Sequence, residues 1–351
     1  MREKLGIIAV GQAGGNIGKS LKSKGFDVVF INSSKGDLDT LGIDEDRKYH
    51  IANGLGSAKD RDTAKQVAKN DFENINKFIN DTLGGKELYY IISSTGGGTG
   101  SGISPTLANI FTKALNKSVG LIAILPSNKD TLQAKINSYE YLKEITDIED
   151  LCGCFILDNE QKKDIDHINK RFVNLFNKIF DYKKHETAKG NIDEAEILKL
   201  LKTKGMINIA GCKNNESTKQ LIEDIKNGIF APIENDGVIK YLGLSKGIKF
   251  EENMFFEQVG KYLDKFENTN KEYTLAISSG LTLPLKRIEI LKEDISKEKD
   301  TIIKLNTEKD IKLEDIDFLN KTKNKKSKPK DEKMTSDDIL NLFFWWYEYQ
   351  G

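Results

Sequence analysis

Residues 95–102 read Thr-Gly-Gly-Gly-Thr-Gly-Ser-Gly and follow directly on the apolar run Leu88–Ile92. Five glycines in eight positions remove nearly every Cβ from one turn. The backbone there can take φ > 0 and lie close against a ligand. Successive N–H groups in such a turn form a concave nest for an anion. Gly102 leads into Ile103–Asn116, whose spacing predicts a helix with its positive dipole end facing the turn. A flexible linker would be longer and richer in serine. A strand, a glycine-only turn, hydroxyls and a helix start together describe a phosphate cradle.

The rest of the first half alternates short apolar runs with longer amphipathic ones. Strands are predicted at Leu5–Val10, Val28–Asn32, Lys48–Ile51, Leu88–Ser94, Val119–Leu125 and Cys154–Asp158. Helices are predicted at Asn16–Lys24, Arg61–Thr82, Ile103–Asn116, Thr131–Ile145 and Asp164–Tyr182. This alternation implies an α/β fold: a Rossmann-like, mostly parallel sheet covered on both faces. Ligands of such sheets bind at the carboxyl ends of strands, where the turn 95–102 and a second turn, Gly11–Gly18, both fall. The stretch Asp164–Tyr182 has neither Gly nor Pro, and Ile165, Ile168, Phe172, Leu175, Phe176, Ile179 and Phe180 recur at helical spacing. It reads as a buried rod about 28 Å long.

These patterns divide the chain into a nucleotide-binding domain (1–163), a connecting helix (164–184), a smaller mixed α/β domain (185–283), a helical extension (284–320) and a tail (321–351). The smaller domain reads as helix Glu194–Thr203, strand Met206–Cys212, helix Ser217–Asn227, strand Val238–Leu244, helix Asn253–Phe266 and strand Tyr273–Ser279. Pro284 opens a charged helix from Leu285 to about Asn306. Residues 321–333 carry seven lysines and no large apolar residue, a composition expected to be disordered. An aromatic patch, Leu342-Phe343-Phe344-Trp345-Trp346-Tyr347, follows.

Composition excludes several classes. Lys+Arg and Asp+Glu both number 54, for a formal net charge of zero, unlike a protein that coats nucleic acid by bulk charge. Three cysteines (Cys152, Cys154, Cys212) imply no disulfide framework and no zinc site, and read as small core residues in a reducing cytosol. No secretory leader pattern and no run of about 20 apolar residues are present, so a cytoplasmic protein without a membrane partner is expected.

The first turn, Gly11-Gln12-Ala13-Gly14-Gly15-Asn16-Ile17-Gly18, admits more than one reading. It lacks the second glycine of a dinucleotide fingerprint. Ala13–Ser20 approaches a P-loop, with Lys19 beside the phosphates, although Lys19 and Ser20 on an ordinary solvated helix are the simpler reading. Taken with Gly96-Gly97-Gly98-Thr99-Gly100-Ser101-Gly102, the turn resembles the first nucleotide loop of the tubulin/FtsZ superfamily, the second motif resembling that family's signature loop for the phosphates of GTP. The resemblance implies a GTPase that binds GTP and GDP, with Mg2+ carried alongside and no direct metal ligand singled out. It implies nucleotide contacts from Gly11, Gln12, Ala13, Gly14, Asn16, Gly96, Gly97, Gly98, Thr99, Gly100 and Ser101. Ile31-Asn32-Ser33-Ser34 is similar to the second loop, contributing Asn32, with Ser34 where FtsZ has an acid. Gly54-Leu55-Gly56-Ser57-Ala58 is similar to a shortened third loop, contributing Gly56, and Pro126–Asp130 is a poor match to the fifth. Asn159, at a strand end, and Asn169, on the rod, stand where the family contacts guanine; an amide offers both the donor and the acceptor needed.

Asn191-Ile192-Asp193-Glu194-Ala195-Glu196 resembles the family's synergy loop, making Asn191, Asp193 and Glu196 the expected catalytic set. Read alone, Asp193 and Glu196 form a helix-capping pattern. As ionised acids at a helix start they can orient and polarise a water. Asp193 lies beyond the far end of the rod from Asn169, roughly 30 Å away at 1.5 Å per residue. It is therefore expected to serve a neighbour's GTP in a head-to-tail filament. The charged extension and basic tail look more like TubZ, the plasmid- and phage-borne branch that moves DNA, than like FtsZ. That likeness implies a DNA-binding adaptor that meets the tail, and no direct sequence-specific DNA contact. Two alternatives stay open: a cell-division ring GTPase of the FtsZ kind, and a monomeric P-loop or dinucleotide enzyme using residues 11–20 alone.

Overall fold

The computed structural model describes residues 1–161, 164–181, 191–213, 218–234, 238–247, 250–270 and 272–307. Met1–Lys292 forms one compact unit, and Glu293 onward a second. The predicted tail and aromatic patch lie outside the described residues, as does Tyr182, the expected last residue of the rod.

All six predicted strands of the first half are present: β1 (Leu5–Val10), β2 (Asp27–Asn32), β3 (Lys48–His50), β4 (Leu88–Ser94), β5 (Val119–Leu125) and β6 (Gly153–Asp158). They lie parallel in the order β3-β2-β1-β4-β5-β6. β1, β5 and β6 are buried along their whole length, as strands covered on both faces must be. This order reverses direction between β1 and β4, and a doubly wound sheet opens its ligand crevice at that point. Gly11 follows β1 and Thr95 follows β4, so the two glycine motifs flank the crevice.

β6 also pairs in parallel with β7 (Gly205–Lys213), and the sheet continues through β10 (Tyr273–Leu281), β8 (Ile239–Lys246) and β9 (Tyr262–Thr269). One ten-stranded sheet thus runs through the boundary expected at residue 163.

The helices are α1 (Gly11–Lys22), α2 (Lys35–Asp39), α3 (Arg61–Asn70), α4 (Phe72–Leu83), α5 (Thr99–Lys113), α6 (Leu132–Thr146), α7 (Ile165–Ile179), α8 (Glu194–Lys202), α9 (Thr218–Asn227), α10 (Glu252–Val259) and α11 (Leu285–Thr307). α1, α7 and α8 bury Ile17, Phe172, Phe176 and Leu200 in a core on one face of the sheet. α3–α6 and α9 bury Ala64, Ile79, Phe111, Tyr141 and Leu221 in the other.

Several expectations are corrected. The helix expected over Arg61–Thr82 is two, broken at Asp71, whose carboxylate is drawn off to Tyr49 Oη (2.8 Å) and the Ala52 amide (2.7 Å). The helix expected over Asn253–Phe266 stops at Val259, where Gly260 takes φ 122°. Tyr262–Thr269 is instead the edge strand β9. Its charged residues suggest a solvated helix, but Lys265 and Glu267 pair with Glu252 and Lys246 across neighbouring elements. α7 ends with Phe180 as its C-cap and runs about 22 Å, not 28 Å. Ile165 is exposed at its first turn, while the other six apolar positions are buried. α1 and α5 begin five and four residues earlier than periodicity suggests, because their first turns are the glycine motifs themselves.

Candidate nucleotide site and acid loop

The first turns of α1 and α5 meet. Gly11 takes φ +72°, and a Cβ there would stand 3.2 Å from the Gly100 amide nitrogen. Gly14 passes so close to β4 that a Cβ would come within 2.4 Å of the Ile92 carbonyl oxygen. Neither helix has a side-chain N-cap: Val10 precedes α1 and Gly98 precedes α5. By contrast α3, α6, α7 and α8 are capped by Asp60, Thr131, Asp164 and Asp193. Two adjacent helix N-termini with no carboxylate or hydroxyl cap present unsatisfied N–H groups and two positive dipole ends to one place. Such an arrangement can hold an anion.

The loop 95–98 is fastened from behind. Asn137 Nδ2 donates to the Gly96 and Gly97 carbonyls (3.2 and 3.0 Å) and to the Lys59 carbonyl (2.8 Å). Ser101 Oγ donates to the Gly97 and Gly98 carbonyls. Thr99 Oγ1 shares hydrogen bonds with Ser33 Oγ (2.7 Å) and Ser57 Oγ (3.1 Å), joining the loops after β2 and β3 to the cradle. Arg61, almost fully buried, reaches the Ser101 carbonyl (3.0 Å), Glu140 (3.0 Å) and Glu144 (2.8 Å). Gly97 differs from its neighbours, since a Cβ there would meet nothing within 4 Å. The loop therefore keeps open space on the side of Gly97.

Of the remaining expected contacts, Gln12 and Asn16 are exposed on α1 and Ala13 is half-buried. Asn32 is buried and shapes its own turn, accepting from the Ser34 amide (3.1 Å) and donating to Asp37 (3.3 Å). Gly56, at φ +86°, donates its amide to the Ser33 carbonyl. Asn53, Ala58 and Lys59 also take positive φ, an unusual concentration for non-glycine residues in a short loop.

Asn159 and Asn169 each bury Oδ1 with no hydrogen-bond partner. An unsatisfied buried amide oxygen is costly, and a ligand that donates to it would relieve that cost. A purine with an N–H edge, such as guanine, fits that demand. The P-loop reading fails on the same ground that defines α1: Ala13–Ser20 is helix, Lys19 and Ser20 are exposed, and Ser20 Oγ is bonded to the Asn16 carbonyl (3.2 Å).

The acid loop stands elsewhere. Asp193 caps α8, accepting from the Glu196 amide (2.8 Å), while Glu196 accepts from the Asp193 amide (2.9 Å). The capping reading is thus realised as a complete box. Glu194 pairs with Lys4 (3.5 Å), immediately before β1. Arg2 binds Asn177 and Asp181 at the end of α7 (2.9 and 3.1 Å). α7 accordingly runs toward the start of β1, and the cradle lies at the other end of that strand. Asn191 is exposed beside the box.

Comparison with known proteins bears on this geometry directly. Residues 4–167 match the tubulin/FtsZ family GTPase domain. The chain carries a tubulin/FtsZ GTPase domain. The activity that belongs to such a domain is GTP hydrolysis. The tubulin-like protein TubZ of Clostridium botulinum C phage is 26% identical over 303 residues, 84% of each chain. The crystal structure of Clostridium botulinum phage c-st TubZ superposes with a TM-score of 0.79 at 25% identity, covering 86% of this chain and 100% of that one. A GTPγS-form protofilament of Bacillus thuringiensis serovar israelensis TubZ shares the fold, with a TM-score of 0.72 at 16% identity over 87% of this chain and 94% of that one. The fold is tubulin-like.

Three supporting residues escaped the sequence reading, two within the matched stretch and one beyond it. Arg61 and Asn137 lie in stretches that read as ordinary amphipathic helix, and nothing local marks them as cradle supports. Arg287, in the charged helical extension, donates to Asp158 (2.8 and 3.3 Å), the Pro126 carbonyl (2.8 Å) and Asn128 (3.0 Å).

Proposed function

We propose that this chain is a polymerising GTPase that segregates plasmid or phage DNA, cutting GTP only where one subunit meets the next. The observation that carries the reading is the separation of cradle and acids along β1. Lys4, paired with Glu194, precedes the strand, and Gly11 follows it. Six strand residues at about 3.3 Å each put roughly 20 Å between them. Asp193 and Glu196 are then out of reach of their own subunit's phosphates. Head-to-tail stacking brings the acid loop of one copy onto the cradle of the next, and such a heterologous contact propagates as a filament.

In this reading the uncapped N-termini of α1 and α5 hold the phosphates, and Asn159 and Asn169 read guanine. Asn191, Asp193 and Glu196 of the adjoining copy orient the attacking water by accepting its hydrogens. Mg2+ bound to the phosphates would draw charge from the γ-phosphoryl group; among the described residues no group of three or more His, Cys, Asp or Glu is gathered to hold an ion by itself. Self-assembly is supported by the shared fold of a TubZ protofilament, and the DNA role by similarity to a phage TubZ along 84% of both chains. Segregation requires a DNA-binding adaptor, which we assign to the C-terminal tail, and a cytoplasmic setting. Among the described residues no helix is long and apolar enough to cross a membrane.

The test is GTP turnover per subunit against protein concentration, with light scattering in parallel. The two should rise together above one threshold concentration. Turnover that is brisk and constant at high dilution overturns the shared active centre. A helix-turn-helix gene beside this one, whose product co-sediments with the filaments and loses them when residues 321–351 are removed, supports the segregation role. Co-sedimentation unchanged by that deletion removes the tail from the reading.

A further inference from the structure

Arg287 is nearly fully buried and makes four hydrogen bonds, two to Asp158 at the end of β6 and two to Pro126 and Asn128 in the loop after β5. Its principal partner, Asp158, is wholly buried and is the last residue of β6, one position before Asn159. The same carboxylate accepts from the Glu160 amide (3.1 Å), and Glu160 in turn accepts from the Asn128 amide (2.7 Å). The Asn159 amide donates to the Leu125 carbonyl (3.3 Å), and the Gln161 amide to the Asp158 carbonyl. Every backbone amide from 159 to 161 is therefore fixed by a group that Arg287 holds, or by the strand end beside it. Inside this cage the Oδ1 of Asn159 is buried and unpartnered.

A buried bidentate guanidinium–carboxylate pair gives angular precision that a point charge lacks. Nothing in the phosphate cradle uses Arg287. We infer that Arg287 is a positioning residue for base selection: from the first turns of the C-terminal helix it sets the turn that aims Asn159, and so decides how strongly guanine is preferred. The inference rests on the guanine contact proposed above for Asn159.

The experiment measures binding of GDP and of inosine diphosphate, which lacks the exocyclic amine, to the full chain by equilibrium dialysis at a dilution where no scattering is detected. Wild type is expected to favour GDP by about tenfold, the worth of one hydrogen-bonding group. Arg287→Lys keeps the charge, loses the fork, and should narrow that ratio to about threefold or less. A purely structural role would weaken both nucleotides alike and leave the ratio unmoved, which overturns the inference. Asn128→Ala, on an exposed loop, removes one tether without unpairing a buried charge. It should narrow the ratio in the same direction even if Arg287→Lys does not fold, and an unchanged ratio there counts equally against the inference. In the Asn159→Ala background, Arg287→Lys should change the ratio no further; additive effects mean that Arg287 acts by another route. A wild type that binds GDP and inosine diphosphate equally overturns the guanine reading itself, whereas a wild-type preference untouched by both variants removes only Arg287.

Discussion

Glu194 pairs with Lys4 at 3.5 Å, and this contact pins the acid-bearing turn before α8 to the start of β1. Gly11, at the other end of the same strand, opens the proposed phosphate cradle. The strand is a ruler between the two halves of the proposed active centre. Asp193→Asn and Glu196→Gln test the halves separately from the fold. Asn caps a helix about as well as Asp, and Gln preserves the capping box. Both variants should melt within a few degrees of wild type and assemble with GTP, yet form filaments that persist because turnover has fallen tenfold or more. Asp193→Ala should show the same loss of turnover plus about 1 kcal/mol of lost stability. If Asp193→Asn turns over GTP normally, the acid role is wrong and Asp193 is a cap alone.

Gly97 and Gly14 should fail in different ways. A Cβ at Gly97 meets open space, so Gly97→Val should unfold at nearly the wild-type denaturant midpoint while GDP binding weakens at least about tenfold. A Cβ at Gly14 would stand 2.4 Å from the Ile92 oxygen. Gly14→Ala should therefore cost stability, about 1–3 kcal/mol by overpacking. Denaturation curves with and without GDP separate the two outcomes. A Gly97→Val protein that binds GDP normally would place the phosphates elsewhere.

Arg61 links the first turn of α5 to α6 through the Ser101 carbonyl, Glu140 and Glu144. Arg61→Met keeps much of the buried stem but leaves that carbonyl without its donor. Loss of a charged hydrogen bond is worth about 1.5–3 kcal/mol, reduced here because Glu140 is half exposed. A urea midpoint unchanged by Arg61→Met would mean that the cradle is held by Asn137 and Ser101 alone.

Acid should weaken the start of β2. Burial pushes the Asp27 carboxyl up, but hydrogen bonds and charge from Lys86 and Arg47 outweigh it and hold it below the usual carboxylate range. A carboxyl depressed in the folded state contributes stability that is present above its unfolded value of about 3.9 and disappears as pH falls through the lower folded value. Asp27→Asn should therefore be less stable than wild type at pH 7, and the gap should close as pH drops below about 4. A gap that stays constant across that range would show that the charge contributes nothing.

Cys154 is buried, and burial pushes its thiol up to about 12; burial raises the Cys152 thiol as well. Neither should react with a thiol reagent at pH 8 until the protein is unfolded, because the thiolate is the reactive form. Rapid labelling of Cys152 or Cys154 in the native protein would contradict the packing at β6.

How much was legible in the sequence depended on how local the cause was. Periodicity and glycine placement are local, and they gave β1 to β6, the buried rod and both glycine turns at strand ends. The start of α1 was misplaced because a Gly-rich helical turn cannot be told from a loop without knowing what packs against it. β9 was lost because Lys265 and Glu267 look solvent-facing until Glu252 and Lys246 are brought beside them. The buried oxygens of Asn159 and Asn169, and the cage around Asp158, could be found only in three dimensions.

The sequence by itself determined that this chain builds a doubly wound sheet with two glycine cradles on one rim, since backbone freedom and apolar spacing are properties of short segments. Only the tertiary structure decided that Lys4 and Glu194 meet at the opposite end of β1, and that Arg287 closes on Asp158. Such pairings join residues 190 and 129 positions apart, and no pattern along the chain encodes a distance that arises only when the sheet is assembled.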